Sequence, residues 1–272
     1  MEQKKLDAII FDVDGTLTNT APRQEQWFKH WSEVNNITWP FSDFDEFLTV
    51  YNDTLARSEN VLDGVQTFYD SVGLPCNMKD RNHRVWPAYE AFQHDNPTGL
   101  YDGIKEAVST IHELGSLTKD SSNTRRIRLG IVTNNLWSSV YRELLKAQIL
   151  PFFDVQVGAE MLDLYHGYSN GNSLKKPSKI SLNIALDTLG ARGQHTMHVC
   201  DTRYDLHASR NILRTNGNHE NLITVGVAWG YEGKEKLSNG IESPSGERHR
   251  FDHIIDEPSE LVPLVKTYLG QK

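Results

Sequence analysis

The stretch that most constrains this chain is Ala8-Ile9-Ile10-Phe11, broken off by Asp12-Val13-Asp14-Gly15-Thr16. A short apolar run rich in β-branched residues and lacking alternation predicts a buried parallel strand rather than one with a wet face. In an open α/β sheet, ligands bind outside the carboxyl ends of the strands, so both carboxylates would project into that crevice. Gly15 lets the backbone turn and approach a ligand closely, with amide N–H groups facing an anion. Asp and Gly are also common turn residues, and the spacing alone leaves turn and site as alternatives.

After Leu17 the period changes. From about Arg23 to His94 the pattern is helical: Trp27, Phe28, Trp31 and Val34 share one stripe. Phe44, Phe47, Leu48, Tyr51 and Leu55 form a second, and Val61, Val65, Phe68, Tyr69 and Val72 a third. A fourth helix is expected after Pro87, and His94-Asp95-Asn96-Pro97-Thr98-Gly99 reads as a connection. Aromatic stripes at this spacing are the packing faces of amphipathic helices.

From Tyr101 strands and helices alternate. Helices are expected over 103–114, 138–147, 177–189, 203–213 and 257–269, and strands over 127–132, 153–157, 196–200, 222–227 and 253–255. This alternation predicts a Rossmann-like, doubly wound parallel sheet with helices on both faces. The stretches 116–124, 166–174 and 233–250 lack periodicity and are expected to be loops. The domain reading is an α/β core over 1–20 and 97–272, with an all-helical insert over 21–96.

Composition narrows the partners. With 28 basic and 36 acidic residues among 272, the formal charge is −8, and the longest basic cluster is Arg125-Arg126-x-Arg128. Nucleic acid is therefore not an expected partner. No apolar stretch approaches the ~20 residues that span a bilayer, and Met-Glu-Gln-Lys-Lys runs into a strand rather than a signal-peptide core, so no membrane partner and a cytoplasmic location are expected. Cys76 and Cys200 lie far apart without metal-type spacing and are expected as reduced thiols.

Three further strand ends carry polar residues. Thr133-Asn134-Asn135 follows Leu129-Gly130-Ile131-Val132, where a hydroxyl and backbone amides suit a phosphate or simply cap a helix. Lys175-Lys176-Pro177 precedes a helix, with proline favouring its first turn. Asp201-Thr202-Arg203-Tyr204-Asp205 follows Val199-Cys200; Asp201 could ligate a cation with Asp205 supporting it, or the pair could cap the helix and face its dipole.

In order and spacing these four sites match the signature of the haloacid dehalogenase (HAD) superfamily, which most of the chain resembles. The motifs are Asp-x-Asp-Gly-Thr-Leu at 12–17, hydrophobic-Thr-Asn at 132–134, Lys-Pro at 176–177 and Asp-Thr-x-x-Asp at 201–205. Tyr101-Asp102-Gly103-Ile104-Lys105 and Thr224 to Tyr231 resemble its phosphoglycolate-phosphatase-like branch, which carries a small helical cap between the first two motifs.

The resemblance implies that Asp12 attacks phosphorus to form an aspartyl-phosphate and that Asp14 is the acid and then the base. It implies that Mg²⁺ is bound by Asp12, the Asp14 carbonyl and Asp201, with Asp205 in support. Gly15, Thr133, Asn134 and Lys176 would hold the phosphate. The dehalogenase branch lacks an acid two residues beyond its nucleophile. The phosphonoacetaldehyde branch has alanine there plus a catalytic cap lysine, whereas Lys29 and Lys79 are not placed like that lysine.

A phosphatase acting on a small phosphorylated metabolite, as monomer or homodimer, is therefore expected. A β-phosphoglucomutase-type phosphomutase and a non-catalytic binding protein on the same fold are the alternatives. Cys200 stands where the family usually has glycine, and the stretch 165–172, with His166, is longer than typical. In the cap, Arg57, Arg81 and Arg84 are candidate specificity residues.

Overall fold

The computed structural model describes residues 6–56, 58, 61–117, 119–120, 123–124, 127–166, 174–210, 212–214, 216–242 and 246–271. Its centre is a six-stranded parallel sheet made of β1 (Ala8–Phe11), β2 (Arg128–Val132), β3 (Val155–Val157), β4 (Thr196–Cys200), β5 (Ile223–Val227) and β6 (His253–Ile255). The strand order is β6-β5-β4-β1-β2-β3. β1 lies between β2 and β4, with Ile9 opposite Leu129 on one side and Met197 on the other.

Successive side chains of a strand point to opposite faces, so a strand covered on both sides must be apolar throughout. All four β1 residues are fully buried. Ile9 and Phe11 join the core under α5 (Ile104–Leu117), α6 (Trp137–Lys146) and α11 (Leu261–Leu269). Ala8 and Ile10 face α8 (Ile180–Leu189), where Leu182, Leu186 and Leu189 pack. The Phe11 and Phe153 rings meet edge to face at 5.9 Å, which secures β1 against the segment before β3.

Between β1 and α5 the chain forms α1 (Ala21–Val34), α2 (Phe44–Ala56), α3 (Val61–Ser71) and α4 (Val85–Asp95). These helices make a helical cap with a separate aromatic core. Phe28 and Phe68 stand 4.6 Å apart, and the Trp27 indole donates to the Tyr69 hydroxyl at 2.6 Å. At Gly64 a Cβ would fall 2.8 Å from a Leu55 methyl, so the bare backbone lets α2 and α3 approach closely.

Several elements differ from the sequence reading. α4 begins at Val85 and takes Pro87 into its first turn, where a missing N–H leaves no helical hydrogen bond unmade. Val34 is 49% exposed and lies off the stripe of Trp27 and Trp31. The helix expected over 203–213 ends at Ala208 as α9 (Arg203–Ala208), and Ile212–Leu213 pairs with His219–Glu220. Ala159–His166 is helical (α7), and residues 167–173 of the expected loop lie outside the described residues.

The stretch expected as a loop over 233–250 holds α10 (Gly233–Asn239) and a short antiparallel pair, Ile241–Glu242 with Arg248–His249. Lys119–Asp120 and Asn123–Thr124 form another such pair. These are too short to show a periodicity in sequence. Cys76 and Cys200 are both free thiols.

Candidate active site

Because β4, β1 and β2 are adjacent and parallel, their carboxyl ends bring Asp12, Thr133 and Asp201 side by side. The Asp12 amide donates to the Val199 carbonyl at 3.0 Å and the Thr133 amide to the Val157 carbonyl at 3.0 Å, so both residues are still held by the sheet. Lys176 arrives from the segment before α8. Its amide donates to Asn134 Oδ1 at 2.9 Å, and Asn134 Nδ2 donates to its carbonyl at 2.8 Å. That two-way bond fixes the lysine backbone, and the Asn134 side chain is committed to it.

The Lys176 ammonium is 3% exposed and has three partners: Asp12 Oδ1 at 2.6 Å, Asp205 Oδ1 at 2.6 Å and the Val132 carbonyl at 3.0 Å. Burial opposes its charge, but Asp12 and Asp205 more than offset that and hold the lysine protonated. Asp205 is held below the usual carboxylate range: burial acts the other way and Lys176 outweighs it. Its helix starts with Thr202, whose hydroxyl accepts from the Asp205 amide and donates to the Asp205 carboxylate.

Asp201 is fully buried, accepting from the Tyr231 amide at 2.8 Å and from the Thr16 hydroxyl at 3.2 Å. Two glycines make room for it. At Gly15, with φ +80°, a Cβ would lie 2.1 Å from Asp201 Oδ2; at Gly230 it would lie 2.2 Å from the Asp201 Cβ and 2.5 Å from the Gly15 carbonyl. The Gly15 amide donates to the Thr18 carbonyl at 2.9 Å and so closes the turn rather than facing an anion. Gly15 serves the site through its absent side chain.

Asp12, Asp201 and Asp205 bring ligand oxygens within 4.8 Å of one another. Burial pushes Asp12 up to about 7, with Lys176 opposing and Asp205 adding to the rise, and drives Asp201 well above the carboxylate range. Like charges that close repel by about 3 kcal/mol per pair at an effective dielectric of about 20. One lysine does not balance three buried carboxylates. An all-oxygen donor set with unbalanced negative charge fits a hard divalent cation.

Asp14 is also raised by burial, with Arg23 opposing. Asn135 Nδ2 donates to both of its oxygens, at 3.3 and 3.1 Å, while the Asn135 amide donates to Thr133 Oγ1 at 3.0 Å. Sequence reasoning gave Asn135 no role of its own; its place directly after Thr133-Asn134 was the available signal. It also missed Arg23, a buried α1 arginine paired with Glu143 of α6, which in turn accepts from the Thr98 hydroxyl at 2.5 Å. Nothing in the α1 sequence marks Arg23 as buried.

Above the acids, the cap and core line an open cavity of about 270 Å³ that reaches Asp12, Asp14 and Lys176. Arg81 lines it. Arg84 instead bonds Asn35 and lies over the Trp31 ring at 5.1 Å. Arg57 lies outside the described residues, as does the His166 side chain.

A doubly wound sheet that gathers buried acids and one lysine beneath a helical cap defines a class of hydrolase. The sequence model for haloacid dehalogenase-like hydrolases matches residues 9–213, and the chain belongs to that family. A pyrophosphatase PpaX from Listeria monocytogenes is 23% identical over 267 residues, covering 96% of this chain and 97% of the relative. Two solved structures share the fold at 16% identity and a TM-score of 0.62 each: a haloacid dehalogenase-like family hydrolase from Streptococcus pneumoniae and a predicted phosphoglycolate phosphatase from Haemophilus somnus. Each alignment covers 96% of this chain and 98% of the other. No helix among the described residues is long and apolar enough to cross a membrane.

Proposed function

We propose that this protein is a Mg²⁺-dependent phosphatase that hydrolyses a small phosphate monoester through an aspartyl-phosphate on Asp12. The observation that carries this reading is the Lys176 ammonium at 2.6 Å from both Asp12 and Asp205, with Asp201 in the same acidic cluster. Lys176 occupies one Asp12 oxygen and fixes the carboxylate plane, leaving the other for in-line attack on phosphorus. Asp14, raised by burial, carries a proton for the departing alkoxide and then takes one from the water that hydrolyses the acyl phosphate. The Thr133 hydroxyl, the Asn134 amide and Lys176 hold the equatorial oxygens.

Asp12, the Asp14 carbonyl and Asp201 would hold Mg²⁺. When bound, the ion supplies the positive charge that lets a carboxylate approach a phosphate dianion. Asp205 acts through Lys176, keeping the ammonium aligned between the two acids.

The test is Mg²⁺-dependent release of inorganic phosphate from phosphate monoesters by the purified chain, with Asp12→Asn reducing it to background. An active Asp12→Asn protein sinks the nucleophile assignment. Interconversion of sugar phosphates without phosphate release would assign a mutase instead.

A further inference from the structure

The cavity over the acids has two unlike ends. Its floor is charged, whereas its upper wall comes from the cap: Trp27, Tyr51, Leu55, Leu62, Trp86 and Tyr89 all line it. Four of these six are aromatic. The charged groups of that wall and rim are already matched within the chain. Arg23 pairs with Glu143, Arg81 sits 3.2 Å from Glu90 and stacks on Trp86 at 4.3 Å, Lys175 lies 3.4 Å from Asp163, and Glu232 lies 2.9 Å from Arg203.

Three of the cavity's uncharged polar side chains are also engaged. Tyr89 donates to Gln24 at 3.2 Å, Trp27 to Tyr69 at 2.6 Å, and Asn52 to the Tyr231 carbonyl. Among the described residues, the Tyr51 hydroxyl is bonded to no other group of the chain, and it lies close enough to Asp14 to feel its charge.

A leaving group bearing a carboxylate or a second phosphate would have to compete with these internal pairs for its partners, and burying polar groups that stay unpaired costs more than their bonds return. A flat apolar ring finds walls of matching chemistry, with offset or edge-on contacts available to it. A cavity of about 270 Å³ has room for a compact ring above the acids. We infer that the cap selects phosphate monoesters of a compact aromatic alcohol, with the Tyr51 hydroxyl offering a hydrogen bond to the ring's polar substituent.

This inference rests on the phosphatase reading and specifies its substrate class. The experiment compares kcat/KM for benzyl phosphate, hexyl phosphate, 2-phosphoglycolate, glucose 6-phosphate and pyrophosphate under saturating Mg²⁺. Benzyl phosphate is expected to lead by about tenfold to a hundredfold, the scale of one well-buried ring. Leu62→Lys, at a half-buried cavity position, is expected to cut that lead by about tenfold because it places an unpaired cation beside the ring.

A cooperative thermal melt establishes that the variant is folded, and Leu55→Lys serves in its place where it is not. Faster turnover of any other ester or of pyrophosphate than of benzyl phosphate, or an unaltered preference in the folded lysine variant, overturns the aromatic assignment while leaving the phosphatase reading intact. Phosphate release from none of the compounds overturns both.

Discussion

Asp12→Asn tests the electrostatics of the site independently of its chemistry. Asp12 is 7% exposed and its carboxyl is raised from 3.8 to about 7, with burial as the largest cause. Between those values the native state binds a proton that the unfolded chain has released, so the Asp12 contribution to stability falls as pH rises through that window. Above pH 7 the full penalty is present, about 4 kcal/mol at ~1.4 kcal/mol per pH unit. Asparagine cannot ionise and stands in for the protonated acid, and the value of about 7 already contains the opposing pull of Lys176. Asp12→Asn is therefore more stable than the parent by up to about 4 kcal/mol at pH 8 with a chelator present, or roughly 2–4 °C per kcal/mol in melting temperature. At pH 5, about one unit above the unfolded value of 3.8, the advantage shrinks to about 1–2 kcal/mol, and it vanishes below about pH 4. Mg²⁺ should raise the parent's melting temperature at pH 8 and do so much less for the variant. Thermal melts at both pH values, with and without Mg²⁺, read all of this. A variant less stable than the parent at pH 8 without metal would refute the claim that the acids are held against their own repulsion.

Three other substitutions probe separate parts of the argument. Gly230→Ala drives a Cβ into Asp201 and the Gly15 carbonyl, so phosphatase activity should fall by about a hundredfold, the usual cost of displacing a catalytic group by ~1 Å, as measured by phosphate release. Asn135→Ala removes both bonds to the Asp14 carboxylate. That bonding lowers the Asp14 pKa, so its loss should move the ionisation of Asp14 in the pH profile of kcat/KM to higher pH and reduce kcat by roughly tenfold to a hundredfold. Phe28→Ala empties the centre of the cap core, where Phe28 touches Phe47, Tyr51, Phe68 and Tyr69, and should cost about 3–5 kcal/mol in denaturant unfolding.

The legible part of the sequence was the part with short-range causes. Ala8-Ile9-Ile10-Phe11 declares a two-sided buried strand because each residue meets the same apolar demand, and the residues at the ends of β1, β2 and β4 must converge once those strands are parallel neighbours. Lys176 was legible as part of a motif, but its three partners were not, since they come from β1, β2 and α9. Arg23 was illegible for a similar reason. A charged residue in an otherwise ordinary helix is buried here only because Glu143, more than a hundred positions later, supplies its counter-ion. The helix over 233–239 escaped because a seven-residue segment gives barely two turns of pattern and buries only Leu237.

The geometry also ties the cap to the acids through one residue. The Tyr231 amide holds Asp201, its carbonyl accepts from Asn52 of α2, and its hydroxyl shares a 2.8 Å hydrogen bond with Thr20, directly before α1. Tyr231 follows Gly230, whose bare backbone is pressed between Asp201 and the Gly15 carbonyl. A shift of α2 away from the core must therefore break the Asn52 bond or pull on the backbone that orients Asp201. Tyr204 adds a second tether: it follows Asp201 by three residues, and its hydroxyl reaches the carbonyls of Leu55 and Ser58 at the end of α2. The same two tyrosines thus fix where the aromatic wall stands relative to Asp12 and Asp14, so substrate fit in the cap and alignment of the acids are set by one set of contacts.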